Sequence, residues 1–214
     1  MKKIINKAGF YLVLEGVDFT GKSSLANELV KRLKKKYGDE FVCHRREPSH
    51  SNYGLKMREI LFSKELTQEK EILAAQYMLM DRIDNTSKVS QLLRENKIVI
   101  QERNFLTALV YNEAKDANEV KFIQEINKLS LKPDYLALIT ISNQTLKSRI
   151  KKAEQERGRL DSYETYEKTS KRKREYMKSE YIDAILKNDN EKSFEDNLSF
   201  FEDIISENYN QIKK

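Results

Sequence analysis

The octapeptide Gly16-Val17-Asp18-Phe19-Thr20-Gly21-Lys22-Ser23 matches the phosphate-binding pattern G-x-x-x-x-G-K-[ST] at every fixed position. Its flanks constrain the fold even more than its letters do. Before it runs Phe10-Tyr11-Leu12-Val13-Leu14, a short apolar stretch that reads as a buried strand. After it, from Ser24 to Lys36, Leu25, Leu29 and Leu33 recur at helical spacing. A strand, a glycine-hinged turn and a helix start let backbone N–H groups curl round a phosphate, with the helix N-terminus adding positive potential. The pattern assigns Gly16, Val17, Asp18, Phe19, Thr20, Gly21, Lys22, Ser23 and Ser24 to a nucleotide-phosphate site. Within it, Lys22 reaches the β- and γ-phosphates and the Ser23 hydroxyl faces a magnesium ion.

The rest of the chain alternates in the same way. Strand patterns fall at Phe10–Leu14, Phe41–His44, Ile98–Gln101, Tyr135–Ile141 and Tyr181–Leu186. Helical patterns fall at Lys22–Lys36, Gly54–Phe62, Gln68–Glu95, Leu106–Leu131 with a break near Asp116, Thr145–Gln155, Glu164–Lys178 and Ser193–Gln211. This order predicts an α/β fold with a mostly parallel sheet covered on both faces. In such sheets ligands bind beyond the carboxyl ends of the strands, which singles out loops 16–22, 45–54, 101–105 and 142–144.

Bulk properties narrow the class. At 214 residues the chain suits one domain, 1–214, with at most a small mobile appendage. Forty basic residues against 34 acidic ones give a net charge of +6, but the signs are interspersed. Nucleic acid is therefore not expected as a partner, and the run Lys168 to Arg174 reads as a solvated helix face. A positive surface field also steers anionic substrates toward a phosphate-handling enzyme. No apolar run approaches the roughly 18 residues of a membrane span. The basic segment Met1 to Lys7 leads into a first strand, not a secretion signal. The lone Cys43 excludes an internal disulfide, fits a reducing cytoplasm and reads as a small core residue.

Charged side chains gather at the expected strand ends. The second strand runs into Arg45-Arg46-Glu47-Pro48, and the third ends in Gln101-Glu102-Arg103-Asn104. The long helix carries Asp81-Arg82 after Tyr77-Met78-Leu79-Met80. Arginines suit bidentate phosphate contacts, and carboxylates can hold magnesium through water, so Ser23 and Glu102 are the candidate metal pair. A further segment, Glu156-Arg157-Gly158-Arg159-Leu160-Asp161-Ser162-Tyr163-Glu164, has the makings of a mobile flap over transferred phosphate.

Taken in order, these segments resemble the thymidylate kinases, within the nucleoside monophosphate kinase group of P-loop kinases. The markers are Glu15-Gly16-x-Asp18-x-x-Gly21-Lys22-Ser23-Ser24, then Arg46-Glu47-Pro48 with Gly54 and Arg58-Glu59-Ile60-Leu61. Asp81-Arg82, Glu102-Arg103 with Tyr111, and Arg157-Gly158-Arg159-Leu160-Asp161-x-x-Glu164 follow. The resemblance spans Phe10 to about Ile205. It implies a three-layer α/β/α fold with a five-stranded parallel sheet, a mobile lid at about 155–164 and a homodimer. It implies transfer from ATP, with Mg2+, to dTMP or a related deoxynucleoside monophosphate. On this likeness Lys22, Asp18, Arg157 and Arg159 are catalytic. Asp18, Arg46, Glu47, Pro48, Met78, Arg82, Arg103 and Tyr111 bind the acceptor; Arg46 and Arg103 clamp its phosphate and Arg82 approaches its base. Because Phe19 stands where some relatives place a phosphate-loop arginine, the catalytic arginines are expected from the lid.

The sequence also departs from the family. Glu102 stands where aspartate is usual, Met78 where an aromatic ring stacks on the base, and Ala108 where a polar side chain reads its edge. Ser49-His50-Ser51 replaces the common glycine pair, and His50 reads as an exposed loop residue. A deoxynucleoside kinase acting on thymidine or a related nucleoside is the alternative. It shares the Glu-Pro, Glu-Arg and lid features, but not Asp18 or the Gly54 to Leu61 signature.

Overall fold

The computed structural model describes residues 8–63, 67–111, 121, 125, 128–160 and 164–212. Five parallel strands form one sheet: β1 (Phe10–Glu15), β2 (Val42–Arg46), β3 (Ile98–Glu102), β4 (Tyr135–Thr140) and β5 (Ala184–Lys187). Their order is β2-β3-β1-β4-β5, so the chain reverses direction across the sheet at β1. Around them lie α1 (Lys22–Tyr37), α2 (Asn52–Leu61), α3 (Gln68–Arg94), α4 (Phe105–Tyr111), α5 (Asn143–Arg157), α6 (Tyr166–Met177) and α7 (Glu191–Ile212).

Strands β1 and β3 are buried along their whole length because helices cover both faces. The side chains alternate between two cores. Phe10, Leu12 and Leu14 pack with Leu25, Leu29 and Leu33 of α1 and with Phe201 and Ile205 of α7. Tyr11 and Val13 pack with Val89 and Leu93 of α3, Phe105 of α4 and Tyr176 of α6. Parallel register then brings functional strand ends level: Leu14 and Arg46 both lie opposite Glu102, and Glu15 lies opposite Leu138.

Several expected boundaries move, each for a local reason. Phe41 closes a 3-10 turn (Asp39–Phe41), so β2 begins at Val42. Strand β5 begins at Ala184, not Tyr181, because Asp183 turns the chain. Its carboxylate accepts the Leu136 N–H at 2.7 Å, while its own N–H donates to the Leu136 carbonyl at 2.9 Å. The Ser51 hydroxyl accepts from Gly54 N and starts α2 two residues early. Of the helix expected over Leu106–Leu131, the described parts are α4 and the helical residues 121 and 125, with turn at 128–129; the break near Asp116 and the segment Met1 to Lys7 lie outside the described residues. Cys43, on edge strand β2, is half-buried and not a core residue. The run Lys168 to Arg174 is not simply a solvated face: Thr169, Ser170 and Arg172 are buried on the inner side of α6.

Candidate active site

The phosphate loop joins β1 to α1 through positive φ at Gly16 (138°), Phe19 (67°) and Gly21 (81°). At Gly16 a Cβ would also lie 2.3 Å from the Ile139 carbonyl, so only glycine lets the loop pass β4. Inside the loop, Thr20 Oγ1 and Lys22 Nζ both donate to the Val17 carbonyl, at 3.0 and 2.7 Å. Outside it, Arg149 donates to the carbonyls of Phe19 and Asn188, both at 2.9 Å, and Asn188 Nδ2 donates to that of Thr20 at 2.8 Å. The loop therefore encloses a preformed cleft of about 350 Å3, bounded by Lys22, Ser23, Asp18, Arg157 and Glu164. Burial, then the neighbouring Arg103 charge, lowers the Lys22 ammonium from 10.5 to about 8.

Beside this cleft the end of β3 turns sharply. Arg103 takes φ 64°, a conformation few non-glycine residues adopt, and its N–H donates to the Leu14 carbonyl at 2.9 Å. Its guanidinium pairs with Asp18, whose second oxygen accepts from the Tyr111 hydroxyl at 3.0 Å. Burial pushes the Asp18 carboxyl up, but Arg103 and Lys22 outweigh it and hold it below the usual range. Burial pushes the Tyr111 phenol up to about 12. Two guanidiniums flank that ring, Arg103 at 5.0 Å and Arg172 at 4.4 Å from its centre.

A buried polar network ties these groups to the loop after β2. Glu47 accepts from Arg82 Nε at 2.9 Å and from Asn85 Nδ2 at 3.2 Å. Asn85 reaches Gln101 at 3.0 Å, and Gln101 reaches the Arg103 carbonyl at 2.8 Å. Asp81 accepts from the Ser49 N–H, the Ser49 hydroxyl and the Ser51 hydroxyl, while Arg58 donates to the carbonyls of Ser49 and Pro48. Gly54 permits this close approach, since a Cβ there would meet the Ser49 carbonyl at 2.3 Å. Arg46, at the tip of β2, stays exposed. Behind the phosphate loop, Glu15 is wholly buried and accepts from the N–H groups of Asn104 and Thr107 and the hydroxyls of Thr107 and Tyr176. Desolvation raises its pKa.

Glu102 faces the phosphate loop. Its Oε2 accepts from the Ser23 hydroxyl and its Oε1 contacts His44 Nε2 at 3.1 Å. Burial raises its pKa, but the hydrogen bonds from His44 and Ser23 bring it below the usual value. Among the described residues no group of three or more His, Cys, Asp or Glu side chains could hold a metal. A hydroxyl and one carboxylate side by side are nonetheless the hard-oxygen set that suits Mg2+, which keeps waters and binds substrate phosphates. The residues fit that ion.

At the far wall, α5 ends at Gly158 in a left-handed cap, and Arg157 donates to Glu164 at 2.9 Å. Phe19, Leu160 and Tyr166 pack together against Ile141, Leu146 and Ile150.

A family model for thymidylate kinase matches residues 14–199 of this chain. The chain belongs to the thymidylate kinase family. A probable thymidylate kinase of Methanocaldococcus jannaschii is 30% identical over 141 residues, covering 66% of this chain and 69% of that protein. One from Methanobrevibacter smithii is 30% identical over 183 residues, covering 82% and 80%. The crystal structure of thymidylate kinase from Ehrlichia chaffeensis shares the fold, with a TM-score of 0.64 and 19% identity over 91% of this chain and 98% of that one.

In this thymidylate kinase family member the expected site residues do not all lie in one place. Gly16 to Ser24, Glu102, Arg103, Tyr111 and Asp18 converge on the phosphate cleft, with Arg157 at its rim. Arg82, expected to approach the base, is buried, paired with Glu47 and 3.5 Å from the Asn104 carbonyl, and Asp81 braces the Ser49–Ser51 turn. Met78 is half-buried against Met57 and Ile60 of α2, and Ala108 is half-buried on α4. Arg159 and His50 are exposed, while Asp161, Ser162 and Tyr163 lie outside the described residues. Glu15, His44, Asn85, Arg149, Arg172 and Asn188 were not singled out as site residues. Arg149 and Arg172 stand among lysines on their helices, and nothing local marks them out.

Proposed function

We propose that this chain is a dTMP kinase, transferring the γ-phosphate of ATP to dTMP to give ADP and dTDP. The observation that carries this reading is the Arg103–Asp18–Tyr111 cluster at the end of β3, set against the phosphate loop and Lys22. It offers a cation for an acceptor phosphate beside a site for donor phosphates. Arg46, exposed at the neighbouring strand end, supplies a second one. A deoxynucleoside kinase would have no phosphate for these arginines to meet.

In the reaction an oxygen of the acceptor phosphate attacks the γ-phosphorus, and the bond to the β-bridging oxygen breaks to release ADP. The attacking oxygen needs no general base, because a phosphomonoester is largely dianionic at pH 7. Catalysis is therefore positioning and charge neutralisation. Lys22 lies along the β- and γ-phosphates, the lid arginines Arg157 and Arg159 neutralise the transferring group, and Arg46 and Arg103 hold the acceptor. Ser23 and Glu102 would hold Mg2+, which would supply positive charge to the phosphate oxygens.

With ATP and Mg2+, dTMP is expected to be phosphorylated and thymidine not. Loss of one methyl from a base pocket is worth about tenfold or more, so kcat/KM for dUMP falls by at least that factor. Phosphorylation of thymidine but not of dTMP would overturn the assignment in favour of a nucleoside kinase.

The chain acts as one kinase domain, 1–214, with its lid at about 155–164, and as a homodimer. The dimer reading is supported by exposed apolar side chains on α2, its C-cap and α3: Leu55, Phe62, Ile72, Leu73, Met80 and Ile83. A stripe of this kind on paired helices suits a partner face. Sedimentation equilibrium should give twice the chain mass, and Met80→Glu with Ile83→Lys should give the single mass; a wild-type monomer would end the idea. No helix among the described residues is long and apolar enough to cross a membrane. A cytoplasmic enzyme, with Cys43 reduced, is the reading we adopt.

A further inference from the structure

Glu102 has three side-chain torsions, yet both its oxygens are fixed in the ligand-free protein. The Ser23 hydroxyl holds Oε2, and His44 Nε2 holds Oε1 at 3.1 Å. The sheet creates the second contact. Arg46 on β2 is level with Glu102 on β3, and His44, two residues earlier on the same face, reaches diagonally to it. An ionised carboxylate only accepts, so the imidazole must present an N–H at Nε2. His44 belongs to neither large apolar core, and its side chain is 27% exposed in a polar cleft shared with Ser23, Arg46 and Glu102.

We propose that His44 is a positioning residue for magnesium-bound ATP: its Nε2–H aims the Glu102 carboxylate at Ser23. The inference rests on Ser23 and Glu102 being the metal pair. The Ser23 hydroxyl can turn a lone pair to the ion and still donate its O–H to Oε2, while His44 is the contact that fixes the other carboxylate oxygen. A glutamate without His44 keeps one anchor of two and is freer about its last torsion, and outer partners of this kind orient metal ligands. The chemistry required of residue 44 is thus narrow. It must be an N–H donor placed at the reach of Nε2.

That requirement separates three variants. His44→Gln sets an amide N–H at about the Nε2 position, His44→Asn falls short of it, and His44→Leu has no donor. The measurement is the affinity of a non-hydrolysable ATP analogue with and without Mg2+, whose ratio is the coupling between metal and nucleotide. We expect that ratio to fall about tenfold in His44→Asn and His44→Leu and to stay within about twofold in His44→Gln. Affinity without Mg2+ and Tm should stay at wild-type values in all three. Equal loss in Gln and Asn, or no loss in Leu, overturns the proposal. So does a rise in KM for dTMP with the coupling intact, which would make His44 an acceptor contact. No acceptor enters the binding experiment, so its outcome is independent of whether dTMP is the substrate.

Discussion

Lys22→Ala should lower turnover by about a hundredfold or more, the scale on which a single preorganised charge acts on a transition state. The fold should not notice. Lys22 is 6% exposed, and within the loop its amine donates to the Val17 carbonyl. Burial and Arg103 hold its pKa at about 8 against 10.5. An unfolded chain therefore binds more protons at this residue between pH 8 and 10.5, and stability from this group rises with pH across that window. Below pH 8 the charged amine costs stability, so removing it leaves Tm unchanged or higher. Bound triphosphate reverses the pressure by placing negative charge at the amine. Binding of an ATP analogue above pH 8 should then take up a proton, and affinity should fall as pH rises, by up to about tenfold per unit. Calorimetry in two buffers of different ionisation enthalpy reads the uptake directly, and Lys22→Met should abolish it. Full activity in Lys22→Ala, or a proton count that the Met variant does not change, would contradict the role.

What the sequence made legible was what depends on neighbours in the chain. The phosphate loop is a run of eight residues whose glycines, strand and helix are all local, and its structure follows the pattern down to the positive φ at Gly16 and Gly21. Strands β1 and β3 declare themselves by the apolar runs Phe10–Leu14 and Ile98–Ile100, because both their faces are covered. Side-chain direction across long separations was another matter. Arg82 reads as a residue that approaches the acceptor base, and the contacts of Asp81-Arg82 include Ser49, Ser51 and Glu47, 30 to 35 residues earlier. Nothing local says that α3 turns this pair toward the β2 loop. Arg172 sits in Lys168-Thr169-Ser170-Lys171-Arg172-Lys173-Arg174, where every charge looks alike. Only the packing of α6 on Tyr11, Val13 and Phe105 selects the face that carries Arg172 to the Tyr111 ring. The start of β5 is hidden for a related reason. Tyr181 and Ile182 are apolar enough for a strand, but Asp183 is taken up by the Leu136 backbone in a turn.

The lid arginines carry the second large effect. Replacing Arg157 and Arg159 together by alanine should lower kcat by about a thousandfold, the lower end of what a transition-state arginine contributes. KM for dTMP should move less than about threefold, since Arg46 and Arg103 lie on the other side of the phosphate loop. The expectation that the charge comes from this quarter starts from the variable loop position. That residue is Phe19, apolar and packed with Leu160 and Tyr166 against Ile141, Leu146 and Ile150, where an arginine would otherwise stand in the loop itself. Arg157 borders the cleft, paired with Glu164 but more than half exposed, so the pair is weakly held and releases the guanidinium when phosphate arrives. Glu164→Gln should accordingly leave kcat within about threefold, because it removes a competitor for Arg157 and not a contact to phosphate. Single replacements at 157 and 159, measured in single-turnover experiments, then divide the effect between the two arginines. Unchanged turnover in the double variant would leave Lys22, Arg46 and Arg103 to neutralise the transferring phosphate alone, and the lid would serve only to exclude water.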